Sequence, residues 1–261
     1  MVTLPAKCFI CGNIRFKKLF SHLGNNVYEC TKCRLGVSVF KKRNQEYEDI
    51  SGYVTRTAVF ERYFNAHLDL IEKYVKRGKL LDVGCSVGLW MDTARKRGFE
   101  VFGIDSSREA INFARKELRL NVKRGEFERM GFGRQKFNLI VLNHVLEHME
   151  NPVGVLKKSY KLLLSGGIVF VGLPNKASLL SKIQKENWWG WRLGDHHWHF
   201  QKENVFKILK LAGFEALYCR SCSTPFEPYV SLKKRMKEVA MAICDYWGAG
   251  NGIMAIGKRD S

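Results

Sequence analysis

The chain has 261 residues, of which 46% are hydrophobic, so it is long enough for one large core with a small appendage. It contains no uncharged apolar run of about eighteen residues, and its N-terminus lacks a charged segment followed by an apolar one, which argues against membrane spans and export and favours the cytoplasm. The formal net charge of +19 favours anionic partners, but the basic residues are scattered and identify none.

The first forty residues hold four of the eight cysteines as two C-x-x-C pairs, "CFIC" with Cys8 and Cys11 and "CTKC" with Cys30 and Cys33. Two such pairs in one short segment predict a zinc ribbon, in which four thiolates hold one structural Zn(II). A redox disulfide is the alternative for either pair alone. We therefore place a zinc-ribbon domain at residues 1–45.

A third C-x-x-C pair, "CRSC", contains Cys219 and Cys222. It lies in a predicted strand, where residues three apart point to opposite faces of the sheet. We expect these two cysteines to be structural.

Residues 46–78 are expected to form a helical linker. From Arg56 to Lys76 the apolar residues recur with the spacing of one helical face. This pattern predicts a helix that leads into the main domain.

The main domain, residues 79–261, alternates short apolar runs with amphipathic segments. The predicted strands are "KLLDVG", "EVFGID", "NVKRG", "FNLIVLNH", "GIVFVGLPN", the end of "QKENVFKILKLAGFEALYC", and "NGIMAIGKR". Helices are predicted near 88–97, 107–118 and 152–164 and at the start of "QKENVFKILK". The alternation predicts an α/β fold with a doubly wound, Rossmann-like, seven-stranded sheet and helices on both faces.

The stretch "LLDVGCSVG" has the form of a nucleotide-binding turn. Counting from Gly84, a dinucleotide fingerprint would need glycines where Ser86 and Leu89 stand, and no Lys-Ser or Lys-Thr follows to complete a phosphate loop. Asp105 ends "EVFGID", and an acid at the end of the second strand accepts hydrogen bonds from both ribose hydroxyls. The pattern predicts a nucleoside ligand without a pyrophosphate.

Residues 82–88 and Asp105 resemble the first two motifs of class I methyltransferases that use S-adenosylmethionine, although Ser86 stands where glycine is common. "GEFERMGF" resembles the adenine-contacting segment, with Glu126 where Asp is usual, and "LSGGIVFVGLPN" resembles the fifth strand. The resemblance implies that Glu126 binds the adenine amine and that the Phe127 backbone reaches a ring nitrogen, whereas a plain surface turn is the alternative for Glu126. The cofactor-binding residues that we expect are Asp82, Gly84, Cys85, Gly88, Asp105, Ser106, Glu126, Phe127 and Asn143.

Histidines are concentrated in two segments, "NHVLEHMENP" after the fourth strand and "WWGWRLGDHHWHF" further on, which also holds four of the six tryptophans. On a helix starting after the strand, His144, Glu147 and His148 would project to one side. We predict that four histidines face the transferable methyl group as catalytic residues, namely His144, His148, His196 and His199.

The role of these segments stays open at this stage. The histidines are suited to acid–base chemistry, or, with Glu147 and either His196 or His199, to binding a divalent metal. The tryptophans are suited to form a wall against a sugar or lipid acceptor, or to touch a membrane surface. Core packing beneath a loop is the alternative without a function.

"HVLEH" and "H-x-x-H-F" resemble a bacterial and archaeal methyltransferase group that acts on sugars, small molecules or quinone-like acceptors and often carries a cysteine ribbon. The resemblance implies methyl transfer to a small-molecule acceptor, for which a hydroxyl of a sugar, glycan or related metabolite is expected. An RNA methyltransferase with a zinc ribbon is the rival, favoured by the charge but not by the ribbon's own composition. A binding protein that has lost catalysis is disfavoured, because the residues expected to bind the cofactor are present together, namely Asp82, Gly84, Gly88 and Asp105.

Overall fold

The computed structural model describes residues 3–22, 24–40, 50, 57–223 and 249–260. The strands are β1 (Phe16–His22), β2 (Asn25–Cys30), β3 (Gly36–Val39), β4 (Gly78–Val83), β5 (Phe99–Asp105), β6 (Val122–Arg124), β7 (Phe137–Asn143), β8 (Leu163–Pro174), β9 (Trp198–His199), β10 (Glu215–Cys222) and β11 (Gly252–Lys258). The α-helices are α1 (Thr57–Ile71), α2 (Leu89–Lys96), α3 (Arg108–Lys116), α4 (Pro152–Leu162), α5 (Leu179–Gln184) and α6 (Lys202–Leu211). Single turns of 3₁₀-helix span Leu146–His148, Lys185–Asn187 and Trp189–Trp191.

The larger sheet has seven strands in the order β10-β11-β8-β7-β4-β5-β6, which confirms the predicted α/β fold. All its strands run in one direction except β11, which lies antiparallel between β8 and β10. The helix predicted near 152–164 ends at Leu162, because Leu163 has extended backbone angles and begins β8. Asn151 starts that helix, since its side chain accepts a hydrogen bond from the Gly154 N–H.

Alternate residues of the central strands pack on opposite faces of this sheet, as expected for strands covered on both sides. Leu81 and Ile140 belong to the cluster that includes side chains of α4 and α6. Leu80 and Leu139 belong to the cluster that includes side chains of α1, α2 and α3. Both faces of the sheet are therefore buried, and its strand ends remain for ligands. Within the described ranges, no helix is long and apolar enough to cross a membrane.

The smaller sheet, in the order β1-β2-β3-β9, is antiparallel and combines distant parts of the chain. We call residues 3–40, which contain β1, β2 and β3 and the four N-terminal cysteines, the ribbon. Its fourth strand, β9, comes from the His- and Trp-rich segment, with Gly36 opposite His199. The predicted boundary at residue 45 lies outside the described residues.

Buried polar contacts attach the ribbon to the rest of the chain. Lys176, which follows β8, forms a buried ion pair with Glu29 of β2. Burial alone would raise the pKa of Glu29, but Lys176 lowers it below its usual range. The Cys33 carbonyl accepts a hydrogen bond from the Asn204 side chain at 2.9 Å, so α6 also holds the ribbon in place.

We expect the substitution Lys176→Met to lower the free energy of unfolding by about 3 kcal/mol, because it leaves the Glu29 carboxylate buried without its closest partner. Chemical denaturation followed by circular dichroism measures the change. Lys182→Met, at an exposed lysine of α5, is the matched control and should unfold as the wild type does. Equal stability of the two variants would contradict a structural role for the ion pair.

Candidate active site

A cavity of about 1220 Å³ opens where β4, β5 and β7 end. Ligands of open α/β sheets bind at this edge. Most of the predicted cofactor-binding residues line it, namely Asp82, Gly84, Cys85, Asp105, Ser106, Glu126, Phe127 and Asn143. Gly88 does not line it but borders α2, where a Cβ would lie 2.4 Å from Leu120 Cδ1. Its φ of 83° lies in the left-handed region, so glycine is favoured at this position.

The carboxylate of Asp105 organises the two loops at the cofactor end of the cavity. Its Oδ2 accepts a hydrogen bond from the Ser86 N–H at 2.8 Å, and its Oδ1 accepts one from the Ser107 N–H at 2.8 Å. A carboxylate has about four acceptor positions, so one on each oxygen remains for a ligand. This geometry fits a ribose diol.

The backbone conformation of Ser86 shows how a serine can occupy a position where the motif usually has glycine. Its φ is 48°, in the left-handed region that glycine favours, between Gly84 at 69° and Gly88 at 83°. The hydrogen bond from its N–H to Asp105 holds this conformation. The turn therefore keeps the glycine-type backbone at the cost of some strain.

Two buried polar side chains complete the cofactor end. Burial, together with the charge of Asp105, raises the pKa of Asp82 well above its usual range. Among the described residues, nothing donates a hydrogen bond to the buried Oδ1 of Asn143. That oxygen lies against Gly172 of β8, where a Cβ would stand 2.2 Å from it, so the glycine makes room for the Asn143 side chain.

The predicted adenine segment is held from behind by α4. The Lys158 ammonium donates to the carbonyl oxygens of Phe127, Glu128 and Met130 at 2.5, 3.0 and 2.7 Å. Phe127 is buried, whereas Glu126 is exposed and pairs with Arg129 at 3.0 Å. The role of Lys158 was not foreseen, because carbonyl groups leave no signal in a sequence.

His144 directly follows β7 and lines the cavity. Its φ of 56° is rare for a residue with a Cβ, and its N–H donates to the Gly172 carbonyl at 2.9 Å. Its Nδ1 lies 3.2 Å from Oε1 of the buried Glu147. The carboxylate therefore favours the tautomer with the proton on Nδ1 and the lone pair on Nε2.

The α-helix predicted to begin here is wrong, since the segment forms one 3₁₀ turn from Leu146 and His144 precedes it. Glu147 lies behind the histidines and is only 1% exposed. Burial alone would raise the pKa of Glu147, but the hydrogen bond with His144 and the nearby His148 lower it to about 2. The sequence could not show that this glutamate is buried.

His148 and His196 come together from the two predicted segments, with ring centroids 4.6 Å apart, and both line the cavity. Nδ1 of His148 lies 3.2 Å from Oδ1 of Asp195, and Nδ1 of His196 lies 2.9 Å from the Gly190 carbonyl oxygen. Burial lowers the pKa of His196 to about 4, so its ring is neutral at neutral pH.

His199 does not share this environment, contrary to the sequence-based expectation. It is absent from the cavity wall, and its Nε2 lies 2.7 Å from the hydroxyl oxygen of Ser38 in the ribbon. The two-residue strand β9 turns it toward β3. We therefore assign His199 to the contact between the ribbon and the main sheet.

The tryptophans also differ from expectation. Trp189 lines the cavity, but Trp188 and Trp191 pack against the ribbon residue Val27. Trp198 donates from Nε1 to the Met149 carbonyl oxygen at 2.7 Å. Three of the four tryptophans thus support the segment rather than form the wall for an acceptor.

Most of the aromatic wall comes instead from α1 and α2, which contribute Phe60, Tyr63, Phe64 and Trp90. The sequence pattern of α1 showed a buried face but not what it would cover. An aromatic cluster on one helical turn was the available signal. The described part of the predicted linker therefore belongs to the cavity and to the core of the larger sheet.

The four N-terminal cysteines converge, with their sulfur atoms all within 4.8 Å of one another. Sγ of Cys8 lies 3.4 Å from that of Cys33, and Sγ of Cys11 lies 3.6 Å from that of Cys30. Tetrahedral zinc with bonds of about 2.3 Å places sulfurs about 3.8 Å apart, whereas a disulfide needs about 2.05 Å. The cluster is compatible with a zinc ribbon.

Comparison with known proteins identifies the larger fold. The sequence profile of a methyltransferase domain family matches residues 56–218. A ubiquinone biosynthesis O-methyltransferase of Pelagibacter ubique is 28% identical over 160 residues, which cover 54% of this chain and 67% of that protein. One of the same name from Caulobacter vibrioides is 33% identical over 129 residues, covering 46% and 51%, so this chain spans about half of that relative.

Solved structures of methyltransferases share the fold. A SAM-dependent methyltransferase of Thermotoga maritima superposes with a TM-score of 0.60 at 17% identity, covering 81% of this chain and 96% of that one. A magnesium protoporphyrin IX methyltransferase from Synechocystis, solved with bound SAH, gives 0.56 at 15% identity, covering 80% and 88%. At these identities the likeness shows the fold alone.

We expect about one tightly bound zinc per chain, because four converging thiolates make a complete site. Elemental analysis of the purified protein measures the metal content. Cys30→Ser should lose the zinc and loosen the ribbon, while Cys219→Ser, outside the cluster, should keep it. A metal-free protein with a disulfide between Cys8 and Cys33 would contradict the prediction.

We expect Asp105→Ala to weaken the binding of S-adenosylhomocysteine by roughly 10- to 100-fold, because the variant loses charge-assisted hydrogen bonds to the ribose. Isothermal titration calorimetry gives the affinity. Asp69→Ala, at an exposed acid of α1, should bind as the wild type does. Preferential binding of NAD, or an unchanged affinity in Asp105→Ala, would show that the cofactor end is misassigned.

Proposed function

The chain belongs to the methyltransferase domain family and is an S-adenosylmethionine-dependent methyltransferase, and we propose that its acceptor is a hydroxyl group of a small molecule. The observation that carries the proposal is one shared cavity. The cofactor residue Asp105, the histidines His144 and His148 and the aromatic residues Tyr63 and Trp189 all line it. A cofactor held at Asp105 and an acceptor held among the aromatic side chains would therefore meet beside imidazole groups.

When bound, S-adenosylmethionine would supply an electrophilic methyl group. A C–O bond to the acceptor would form as the methyl C–S bond breaks, with the electron pair of that C–S bond staying on sulfur. The acceptor hydroxyl would then have to lose its proton. The residue we assign to that proton is His144. Its Nδ1–H is held by Glu147, which leaves Nε2 to accept the proton from the acceptor hydroxyl. The carboxylate of Glu147 then stabilises the imidazolium, as an acid behind a catalytic histidine does.

The acceptor end of the cavity supports a compact, partly apolar substrate. Phe60, Tyr63 and Trp189 offer ring faces against which a sugar or a phenol can rest. The name O-methyltransferase that the relatives bear supports oxygen as the acceptor atom.

The position of the ribbon supports a small molecule rather than RNA as the acceptor. Cys8, Cys30 and Leu35 of the ribbon belong to the same buried cluster as side chains of α4 and α6. The ribbon also supplies the partner strand for β9. Its presence is therefore accounted for by contacts within the chain, without a nucleic acid.

We expect His144→Ala to lower turnover by roughly 100- to 10,000-fold, the range usual for loss of a general base, while the affinity for S-adenosylhomocysteine stays nearly unchanged. Turnover is measured after an acceptor has been found by screening sugars, nucleotide sugars, phenols and ribosomal RNA. His22→Gln is the matched control, since this histidine of β1 does not line the cavity.

Two results would contradict the proposal. Methylation of ribosomal RNA in preference to every small molecule would replace the acceptor class. Near-wild-type turnover of His144→Ala would show that another group accepts the proton.

A further inference from the structure

We propose that Glu147, His148 and His196 bind a divalent transition-metal ion in the acceptor part of the cavity, separate from the cysteine cluster. One potential ligand atom from each of the three side chains lies within 4.8 Å of the other two. Two imidazoles and one carboxylate form a ligand set that proteins use for such ions. The role of this metal site in catalysis rests on the proposed function, but the existence of the site does not.

The hydrogen bonds of the two rings orient them as metal ligands. The Gly190 carbonyl can only accept, so Nδ1 of His196, at 2.9 Å, carries the proton. The Asp195 carboxylate fixes the same tautomer of His148 through a contact of 3.2 Å to Nδ1. Each ring therefore carries its lone pair on Nε2, and a carboxylate or carbonyl behind a histidine is the usual support of a metal ligand.

Glu147 supplies the independent observation that points to a cation. It is 1% exposed, and His144 contacts its Oε1. Within the described part of the chain, no donor reaches its buried Oε2. A carboxylate oxygen left unpaired in the protein interior is costly, and a cation beside two imidazole lone pairs would remove that cost.

The cluster whose ligand atoms lie within 4.8 Å of one another holds Glu147, His148 and His196 and does not include His144 or His199. Nε2 of His199 lies against Ser38 instead. The three assigned side chains leave further coordination positions for an acceptor, because His148 and His196 line the cavity. An ion there would lower the pKa of a bound hydroxyl and aim its oxygen, while His144 remains the proton acceptor.

Titration of the zinc-loaded chain with Co(II) tests the site without cofactor or acceptor. We expect one cobalt per chain in addition to the ribbon zinc, with weak visible bands and without the intense near-ultraviolet absorption of cobalt thiolates. Glu147→Gln and His196→Ala should weaken cobalt binding at least about 100-fold. Asp195→Asn, which touches the ligand His148 but is not itself a ligand, should weaken it about 10-fold.

His22→Gln is the matched control and should keep full cobalt affinity, since it changes a histidine of β1 that does not line the cavity and is not assigned as a ligand. Glu147→Gln is close to isosteric, so circular dichroism should show a folded protein. The proposal is overturned if the wild type takes up no second metal, if cobalt shows thiolate absorption, or if folded Glu147→Gln binds cobalt like the wild type. A chain that binds cobalt but methylates no hydroxyl would refute only the proposed function.

Discussion

The pairing of β3 with β9 is the contact on which the arrangement of the cavity depends. The Ser38 N–H donates to the His197 carbonyl oxygen at 3.0 Å, and Gly36 lies opposite His199. A Cβ at Gly36 would stand 2.8 Å from the His199 Cβ, so only glycine allows the strands to approach this closely. The pairing fixes the backbone next to His196, which in turn lies against His148. A strand of the ribbon thereby sets the position of a histidine in the cavity.

The same pairing explains what a four-cysteine cluster contributes to an enzyme whose chemistry does not use it. A segment of about forty residues is too small to hold a stable core by itself, and a metal or docking onto a larger domain must compensate. Here the ribbon docks, because Cys33 and Leu35 join the core cluster on the α4 and α6 face, and its four converging sulfurs are placed to bind a metal. The ribbon also pairs through β3 with β9, next to His196.

The sequence was sufficient to predict those features that depend on residues close together in the chain. Strand and helix periodicity predicted the seven-stranded sheet, and the Asp82 and Asp105 segments predicted residues that do line the cavity at the ends of β4 and β5. It failed where partners are distant in the chain. A two-residue strand such as β9 has no periodicity, so the turn of His199 toward Ser38, 161 positions away, left no pattern to detect. The burial of Glu147 and its pairing with His144 likewise depend on a strained backbone that residue types do not encode.

Glu147 is the residue that stability alone does not explain. A fully buried carboxylate is usually less favourable than an apolar side chain of similar size, even when one of its oxygens is hydrogen-bonded. Here one oxygen contacts His144, the other has no donor among the described residues, and the carboxylate lies beside the proposed ligands His148 and His196. A single glutamate would therefore orient the proton-accepting imidazole and neutralise a cation beside the acceptor. These two tasks require an ionised group at this depth, and the lowered pKa of Glu147 keeps it ionised at neutral pH.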